Sequence, residues 1–329
     1  MARMRWLCVL TMGAILILPA SSACSLKEMN SLSKHVITVD DEPGDADYTS
    51  IKEALNHSSP GDTIEVYSGT YMEHAINITN RFISLIGIPQ ELGNGSDTGK
   101  PFINGQARDN VIHVKAPNVT ISGFRIENRG TGFYDAILIS YNYDGCVISN
   151  NTLSHSEYSI VECYSNNTKI INNTIKYAGM RYGIELVEWN NTLVSHNIID
   201  HCPTGIDING CSFCTIVGNR ISNCSICGID ISGYGITCQF NTIENNSYGL
   251  HIYVSRSNQI KQNNFINNTV QTGFYQSLGF TGGNWWSQNY WERPRKLPYP
   301  IVGTVFMLMP WVQFDWRPAQ QPYDILETR

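Results

Sequence analysis

The sequence has few charged residues and no excess of basic ones. Asp, Glu, Lys and Arg make up 15% of the 329 residues, and the formal net charge is −6. A nucleic-acid-binding protein would need a basic surface to neutralise phosphates, so this charge balance argues against a nucleic-acid partner. Hydrophobic residues make up 42% of the chain, which is enough for a large core and excludes a disordered chain.

The motifs of several large enzyme classes are also missing. The chain has no glycine-rich phosphate loop, no nucleotide fingerprint and no nucleophile elbow, which argues against ATP-driven and serine-nucleophile chemistry. After the N-terminal segment, no stretch has the roughly 18 uncharged apolar residues of a membrane span. Residues 301–312 are too short and include Pro310. We therefore expect no transmembrane segment in the mature chain.

Residues 1–23 have the features of a cleavable signal peptide. Arg3 and Arg5 precede a short apolar segment, Trp6–Leu18, and small residues for cleavage follow at 21–23. We expect the mature chain to begin near Cys24, which could carry a lipid anchor, and to be secreted or held at the cell surface. In an exported protein, N-x-S/T sequons are potential glycan acceptors. They begin at Asn56, Asn77, Asn94, Asn118, Asn150, Asn166, Asn172, Asn190, Asn223, Asn245 and Asn267.

Between residue 111 and about residue 271 the sequence repeats every 21 to 25 residues or so, which is typical of a solenoid. Each unit has a small residue, an I-x-I segment, a loop and an I/V-x-x-N-x-I segment, and the period of two predicts short strands. The small residues are Ala136, Ser159, Gly183, Gly205, Gly228 and Gly249. The first inward column is Ile137, Ile160, Ile184, Ile206, Ile229 and Leu250, and the second is Leu153, Ile175, Ile199, Ile221, Ile243 and Phe265.

An asparagine recurs between the two inward columns of every unit. These residues are Asn151, Asn173, Asn197, Asn219, Asn241 and Asn263. We expect them to adopt a left-handed conformation at a sharp corner and to form a ladder of amide hydrogen bonds between coils. Three short strands per coil, stacked in parallel at about 4.8 Å, predict an all-β, right-handed parallel β-helix.

Residues 24–110 are expected to form an N-terminal cap and the first coils of this solenoid. A strand is predicted at 36–39, and a short helix at 49–55 with Thr49 or Ser50 as its N-cap. Residues 111–271 form the repeats, and 272–329 a C-terminal cap segment. That last segment holds five of the seven tryptophans, which could cover the final coil or form a platform for sugars. They are Trp285, Trp286, Trp291, Trp311 and Trp316.

Residues 47–55, 61–64 and 69–71, followed by the G-I-x-I and N-x-I repeats, resemble the pectin-lyase-like β-helix superfamily. Within it the chain is similar to NosD-type proteins, the carbohydrate-binding and sugar-hydrolase repeat group of archaeal surfaces, in part through its tryptophan-rich ending. The resemblance implies binding of a polysaccharide or cell-surface glycan, and it allows lyase-like or hydrolase-like processing of that glycan. It leaves open a copper-associated maturation factor and a purely structural surface protein. The Asp-Pro-His-Asp motif of alginate epimerases is absent: Ile199–Pro203 has similar letters in another order.

The residue between the two inward positions of the first strand should point outward. That column is His113, Leu138, Val161, Glu185, Asp207, Asp230 and His251, with Asn209, Ser232 and Tyr253 farther along the last three strands. Neighbouring carboxylates would lie about 5 Å apart, as in retaining glycosidases, and could bind a ligand or Ca²⁺. We assign Asp207 and Asp230 as acid/base or cation ligands, with His251 assisting. The alternative is an acidic face that is merely solvated.

The cysteines invite a metal site, because Cys211-x-x-Cys214 and Cys224-x-x-Cys227 have the spacing of zinc ligands. The pairs are 13 residues apart in a coil of about 22, which places them on different sides of one turn. Small core residues are therefore favoured over disulfides, and both over a metal site. Copper would want clustered Met, Cys or His, and Met307-x-Met309 in the apolar tail is a weak candidate. Copper is implied by the resemblance only.

Overall fold

The computed structural model describes residues 34–93, 95–188, 190–276, 283–306 and 309–325. The predicted signal peptide, Cys24, Asn94 and Met307 lie outside these ranges.

The described part consists almost entirely of short strands. The elements are α1 (Ile51–His57), β1 (Val36–Val39), β2 (Thr63–Val66), β3 (Thr70–Tyr71), β4 (Ile76–Ile78), β5 (Ser84–Gly87), β6 (Phe102–Asn104), β7 (Ile112–Val114), β8 (Thr120–Ser122), β9 (Arg125–Glu127), β10 (Ile137–Ile139), β11 (Val147–Ser149), β12 (Thr152–Ser154), β13 (Val161–Cys163), β14 (Lys169–Ile171), β15 (Thr174–Lys176), β16 (Tyr182–Val187), β17 (Leu193–Ser195), β18 (Ile198–Asp200), β19 (Thr204–Ser212), β20 (Thr215–Val217), β21 (Arg220–Ser222), β22 (Cys227–Tyr234), β23 (Thr237–Gln239), β24 (Thr242–Glu244), β25 (Tyr248–Tyr253), β26 (Gln259–Lys261), β27 (Asn264–Ile266), β28 (Val270–Gln276), β29 (Trp285–Ser287), β30 (Tyr290–Trp291), β31 (Tyr299–Val305) and β32 (Met309–Asp315).

These strands form the three faces of a right-handed parallel β-solenoid of about 11 turns, which confirms the predicted fold class. From β4 onward, each strand pairs in parallel with the strand three positions later, so every coil contributes one strand to each face. The first face runs from β4 through β7, β10, β13, β16, β19, β22 and β25 to β28. The second face begins with β1, β2 and β5, and the third begins with β3, β6 and β9.

The predicted inward columns form the core, with one slip of register. The second column is confirmed, from Leu153 opposite Ile175 to Ile243 opposite Phe265. In the first column, Val161, rather than the predicted Ile160, lies opposite Ile184. Ser159 is therefore not in the column of small residues, and Val161 is not outward but fully buried. The inward pair of this strand is Val161 and Cys163, with Glu162 between them. The register is recognised from the sequence only if Cys163 is counted as an apolar, inward residue.

The predicted asparagine ladder is confirmed, and it continues to Asn289. At each step the backbone N and Nδ2 of one asparagine donate to Oδ1 of the asparagine one coil later, as in the 2.9 and 3.0 Å bonds from Asn197 to Asn219. The left-handed corner residue is not the ladder asparagine but the residue before it, such as Asn150 or Asn172, both with φ of 57°. The ladder asparagines must turn their amides inward, and the preceding exposed residue makes the turn.

The N-terminal end begins as predicted, with a strand followed by a helix. Ser50 is the N-cap of α1, and its side chain accepts a hydrogen bond from the backbone N of Glu53. The Glu73 carboxylate accepts from the free backbone N–H groups of Ile51 and Lys52 at 2.9 and 3.1 Å. The helix buries Ile51, Ala54 and Leu55 against the first strands. No helix among the described residues is both long enough and apolar enough to cross a membrane.

At the C-terminal end, the antiparallel hairpin of β31 and β32 closes the solenoid. Trp291 is buried and stacks on Phe265 at 4.6 Å and on Tyr299 at 4.0 Å. Trp286 is also buried. Two of the five tryptophans therefore cover the last coil, as expected of a cap, and three are exposed. The exposed ones are Trp285, Trp311 and Trp316.

Candidate functional site

The outward column of the first face contains four acidic residues on consecutive coils. Parallel pairing places Glu162 opposite Glu185, Glu185 opposite Asp207, and Asp207 opposite Asp230. On the next coil Asp230 lies opposite His251. We call Glu162, Glu185, Asp207 and Asp230 the acidic ladder. The predicted row from Glu185 to His251 is present, and the slip at Val161 hid its first member, Glu162.

Three members of the ladder are covered by protein, although they point away from the core. Glu162, Glu185 and Asp207 are only 8%, 5% and 9% exposed. Asp230 is half-buried, and its Oδ1 is 3.2 Å from Nδ1 of His251. The alternative of a freely solvated acidic face therefore does not describe Glu162, Glu185 and Asp207.

Some carboxylates of the acidic ladder accept hydrogen bonds from neighbouring hydroxyls and others do not. The hydroxyl of Tyr164 donates to Glu162 Oε1 at 2.6 Å, and the hydroxyl of Ser159 donates to Glu185 Oε2 at 3.3 Å. None of the described residues gives the Asp207 carboxylate a hydrogen bond, although this side chain lies between two other carboxylates. Neither Asp207 oxygen is among the buried side-chain atoms without a partner, so the carboxylate reaches the surface and is the ladder group open to a ligand.

Burial and mutual repulsion keep part of the ladder protonated near neutral pH. Burial, followed by the charge of Glu162, raises the pKa of Glu185 to about 7. Burial, with the charges of Asp230 and Glu185, raises the pKa of Asp207 to about 7. Asp135 is buried beside the same end of the ladder, and its burial and the Glu162 carboxylate raise its pKa well above the ordinary range. The ladder can therefore donate protons as well as accept hydrogen bonds.

Aromatic side chains line both edges of the ladder. On the edge before the strands, the guanidinium of Arg181 lies over the Tyr158 ring at 4.6 Å, and Tyr248 makes an edge contact with His251. On the edge after them, Tyr253 stacks on Tyr275 at 5.1 Å and is 46% exposed. Exposed aromatic faces beside hydrogen-bonding groups suit a ligand with apolar and polar sides.

The remaining predicted ligands lie in the expected column beside the acidic ladder. Asn209 is exposed and opposite Ser232, and Tyr253 follows on the next coil. The sequence analysis did not identify Glu162, Asp135 or Arg181. Glu162 would have emerged from counting Cys163 as inward, whereas Asp135 and Arg181 lie in loops without a fixed repeat position.

Within the part of the chain that the structure describes, the cysteines form neither a zinc site nor a soft site for copper. All eight described cysteines are buried and free of disulfides. His155 and His201 share a column, but the ring of Tyr177 stacks between them at 4.9 and 5.4 Å. Among the described residues, groups of three or more potential ligands close enough for one ion contain carboxylates only, which are poor copper ligands. The acidic ladder does not form such a group.

The arrangement allows two kinds of chemistry on one face. Carboxyls with a pKa of about 7 can donate hydrogen bonds to a sugar hydroxyl or a proton to a leaving group. Asp230, held by His251, supplies an acceptor on the neighbouring coil. Residues on adjacent strands of a parallel sheet are about 4.8 Å apart, close to the spacing of retaining glycosidase carboxylates.

Comparison with known proteins supports the fold. Residues 110–270 match the family model for the right-handed beta helix region. XylC in complex with xylose is similar, with a TM-score of 0.55 and 11% identity over 86% of this chain and 73% of that chain. Comparison with curated proteins gave no match.

Two further solved structures share the fold at low identity. Tailspike protein 2 of an Escherichia coli O157:H7 bacteriophage has a TM-score of 0.58 and 10% identity, over 73% of this chain and 35% of that chain. A PL6 alginate lyase in complex with a trisaccharide has a TM-score of 0.52 and 14% identity, over 79% of this chain and 62% of that chain. The chain spans about a third of the tailspike and less than two thirds of the lyase. These findings and the strand pairing agree that the chain is a right-handed parallel β-helix repeat protein.

Proposed function

We propose that the protein binds a carbohydrate chain along the acidic ladder and the tyrosines at its edges. The observation that carries this proposal is the Asp207 carboxyl. It lies between two other carboxylates, has no hydrogen-bond donor among the described residues, and keeps its oxygens open to the surface. Sugar hydroxyls both donate and accept hydrogen bonds, so they can satisfy such a group in either protonation state.

The charge of the face favours a neutral glycan. Four acidic side chains repel a polymer of uronic acids, and Arg181 is the cation that acts on both Glu185 and Asp207. A neutral glycan would accept a hydrogen bond from the protonated Asp207 carboxyl and donate one to the Asp230 carboxylate. The exposed ring of Tyr253 would provide a surface for the apolar side of a sugar.

The fold relatives are compatible with this proposal. One was solved with xylose and another with a trisaccharide, and the bacteriophage relative is a tailspike. Their low identity carries no residue of their sites to this chain. The NosD-type resemblance and the signal-peptide pattern add the expectation of a secreted or cell-surface glycan-binding protein.

A copper-maturation role has less support. The described cysteines lie in the core, and the described carboxylate groups are hard ligands. Copper that stays bound at a fixed ratio to the protein after dialysis against a chelator would support the copper-maturation role.

The experiment is binding of the purified protein to a broad glycan array, with wild type beside an Asp207→Ala, Asp230→Ala double variant. Glu244→Gln is the matched control, because Glu244 lies outward on the third face of the same region and pairs with Arg220. We expect the double variant to lose binding and the control to keep it. No binding by wild type, or equal binding by all three proteins, would contradict the proposal.

Hydrolysis or cleavage of the bound glycan is a second candidate function. It is favoured by one pair, because Asp207 has an acid pKa near neutrality and its neighbour Asp230 is held by His251. Product analysis by mass spectrometry after prolonged incubation distinguishes the two functions. Turnover that disappears in Asp207→Asn would indicate an enzyme, whereas bound but unchanged glycan would indicate a binding protein.

A further inference from the structure

A second group of carboxylates gathers at the N-terminal end of the solenoid, away from the acidic ladder. Asp40, Asp41 and Glu42 directly follow β1, and Glu91 and Asp97 lie in the connection between β5 and β6. One carboxylate oxygen from each of the first three lies within 4.8 Å of the other two. The same is true of Glu42, Glu91 and Asp97, so Glu42 belongs to both groups. We call these five residues the acidic corner.

The acidic corner contains buried oxygens that no protein group satisfies. Asp40 is 0% exposed, and neither of its carboxylate oxygens has a hydrogen-bond partner. Asp41 Oδ1, Glu42 Oε2 and Glu91 Oε1 are likewise buried and unpartnered. Buried charges in proteins are paired or bind metal ions, because burying an uncompensated carboxylate is costly. A cation bound at the acidic corner would compensate these five oxygens together.

The second oxygens of two of these residues are fixed by the backbone. The backbone N of Thr70 donates to Asp41 Oδ2 at 2.9 Å, and the backbone N of Asp97 donates to Glu91 Oε2 at 2.9 Å. Gly69 provides the room for Asp41, since a Cβ at Gly69 would lie 1.9 Å from Asp41 Oδ1. Each of these carboxylates thus has one oxygen held by the backbone and one oxygen without a hydrogen-bond partner.

The donor set identifies the class of ion. All ligand atoms are oxygens, which suit hard cations and not zinc or copper. Two oxygens on opposite sides of a calcium ion are about 5 Å apart, because each lies about 2.3–2.6 Å from the ion. The irregular loops can supply the variable geometry of Ca²⁺ more readily than the strict octahedron of Mg²⁺. Asp97 is exposed and gives the ion a route from solvent.

The five carboxylates of the acidic corner repel one another, and a divalent cation would replace that repulsion with attraction.

We propose that the acidic corner binds Ca²⁺ and that the ion joins the segment after β1 to the connection between β5 and β6. This site is independent of carbohydrate binding. Its consequence is structural, because it links the first coil to the next at the end of the solenoid, where fewer neighbouring strands hold the chain.

The test is calcium titration of the chelator-treated full-length protein by calorimetry, with Mg²⁺ in parallel. Asp40→Asn and Glu91→Gln are the test variants, and Glu244→Gln, on the third face and paired with Arg220, is the matched control. We expect wild type and Glu244→Gln to bind at least one Ca²⁺ per chain, and the two corner variants to bind at least about tenfold more weakly. Absence of calcium binding by wild type, equal binding of Mg²⁺, or unchanged binding by both corner variants would overturn the proposal.

Thermal unfolding gives a second measurement, in which the order of stability of wild type and Asp40→Asn should depend on whether calcium is present. Calcium should raise the melting temperature of wild type by several degrees and leave that of Asp40→Asn nearly unchanged. Without calcium, Asp40→Asn should melt at or above the wild-type temperature, because the substitution removes a repelled carboxylate. A variant less stable than wild type in both conditions would indicate an ordinary structural role for Asp40. Loss of glycan binding has no effect on these readouts, so each proposal can fail alone.

Discussion

The solenoid stacks two kinds of polar side chain at the same coil spacing, and they behave in opposite ways. In the asparagine ladder each amide donates to one coil and accepts from the other, as Asn197, Asn219 and Asn241 do at about 3 Å. In the acidic ladder, carboxylates face carboxylates, and the pKa of Glu185 and of Asp207 rises to about 7. An amide is self-complementary and a carboxylate is not. A stack of amides therefore holds the fold together, whereas a stack of carboxylates leaves unmet interactions for a ligand.

Breaking the asparagine ladder should have the largest effect. Asn219→Ala removes the donors to Val194 O and Asn241 Oδ1 and the acceptor for the Asn197 amide and backbone N–H. Several buried backbone and amide groups lose their partners, so we expect roughly 3 kcal/mol or more of lost stability. Denaturant unfolding monitored by circular dichroism measures it.

The control for this change is Gln239→Ala, on the outward side of β23. Its side chain makes no hydrogen bond among the described residues, so its effect should stay within about 0.5 kcal/mol. Equal losses in the two variants would mean that the ladder hydrogen bonds contribute little.

Replacing a carboxylate of the acidic ladder with an amide should stabilise the protein, whereas breaking the asparagine ladder destabilises it. The folded pKa of Asp207, about 7, lies above its unfolded value of about 4. The folded state therefore binds the extra proton between these values, and wild-type stability falls as the pH rises from about 4 to about 7. Asp207→Asn removes the part of this slope that comes from Asp207 and should stabilise the protein at pH 8 by roughly 2–3 kcal/mol, with little change at pH 4, while Glu185 keeps its own share of the slope.

Melting temperatures across this pH range, compared with those of Glu244→Gln, measure the prediction. Glu244 forms an exposed ion pair with Arg220, so its variant should follow the wild-type profile. A pH profile for Asp207→Asn parallel to that of wild type would show that Asp207 is ionised throughout.

Asp315 sharpens the comparison, because it is a carboxylate that ends the asparagine ladder. Its Oδ2 accepts from the backbone N and Nδ2 of Asn289 at 2.9 and 3.1 Å and from Trp291 Nε1 at 3.1 Å. An acceptor-only group suits the last position, where every neighbour donates. Asp315→Asn would turn an NH₂ group toward some of these donors and should cost about 2 kcal/mol. The same denaturation assay measures it, and a neutral result would mean that the hairpin closes the solenoid by packing alone.

The asparagine ladder could be predicted from the sequence, but the acidic corner could not. The N-x-I repeat fixes Asn173 and its equivalents at one position of every coil, and that regularity carries through to the hydrogen bonds. The acidic ladder was predicted except at Glu162, where Ile160 and Val161 offer two registers of almost equal apolar quality. Asp40 and Glu91 are 51 positions apart in irregular segments, so no period relates them and only the folded chain brings them together.

The smallest expected effect tests whether a single partner is enough to make a ladder carboxylate behave as an ordinary paired group. His251 lies 3.2 Å from Asp230 Oδ1, and both side chains remain partly exposed. Exposed pairs of this kind contribute less than about 1 kcal/mol, so His251→Ala should change stability little. The same change should weaken glycan binding, because Asp230 loses the group that orients it beside Asp207. Unfolding and array binding measured on one preparation separate the two effects. A loss of stability as large as that of Asn219→Ala would make the acidic ladder a structural element, and the contrast between amide and carboxylate stacks would then fail.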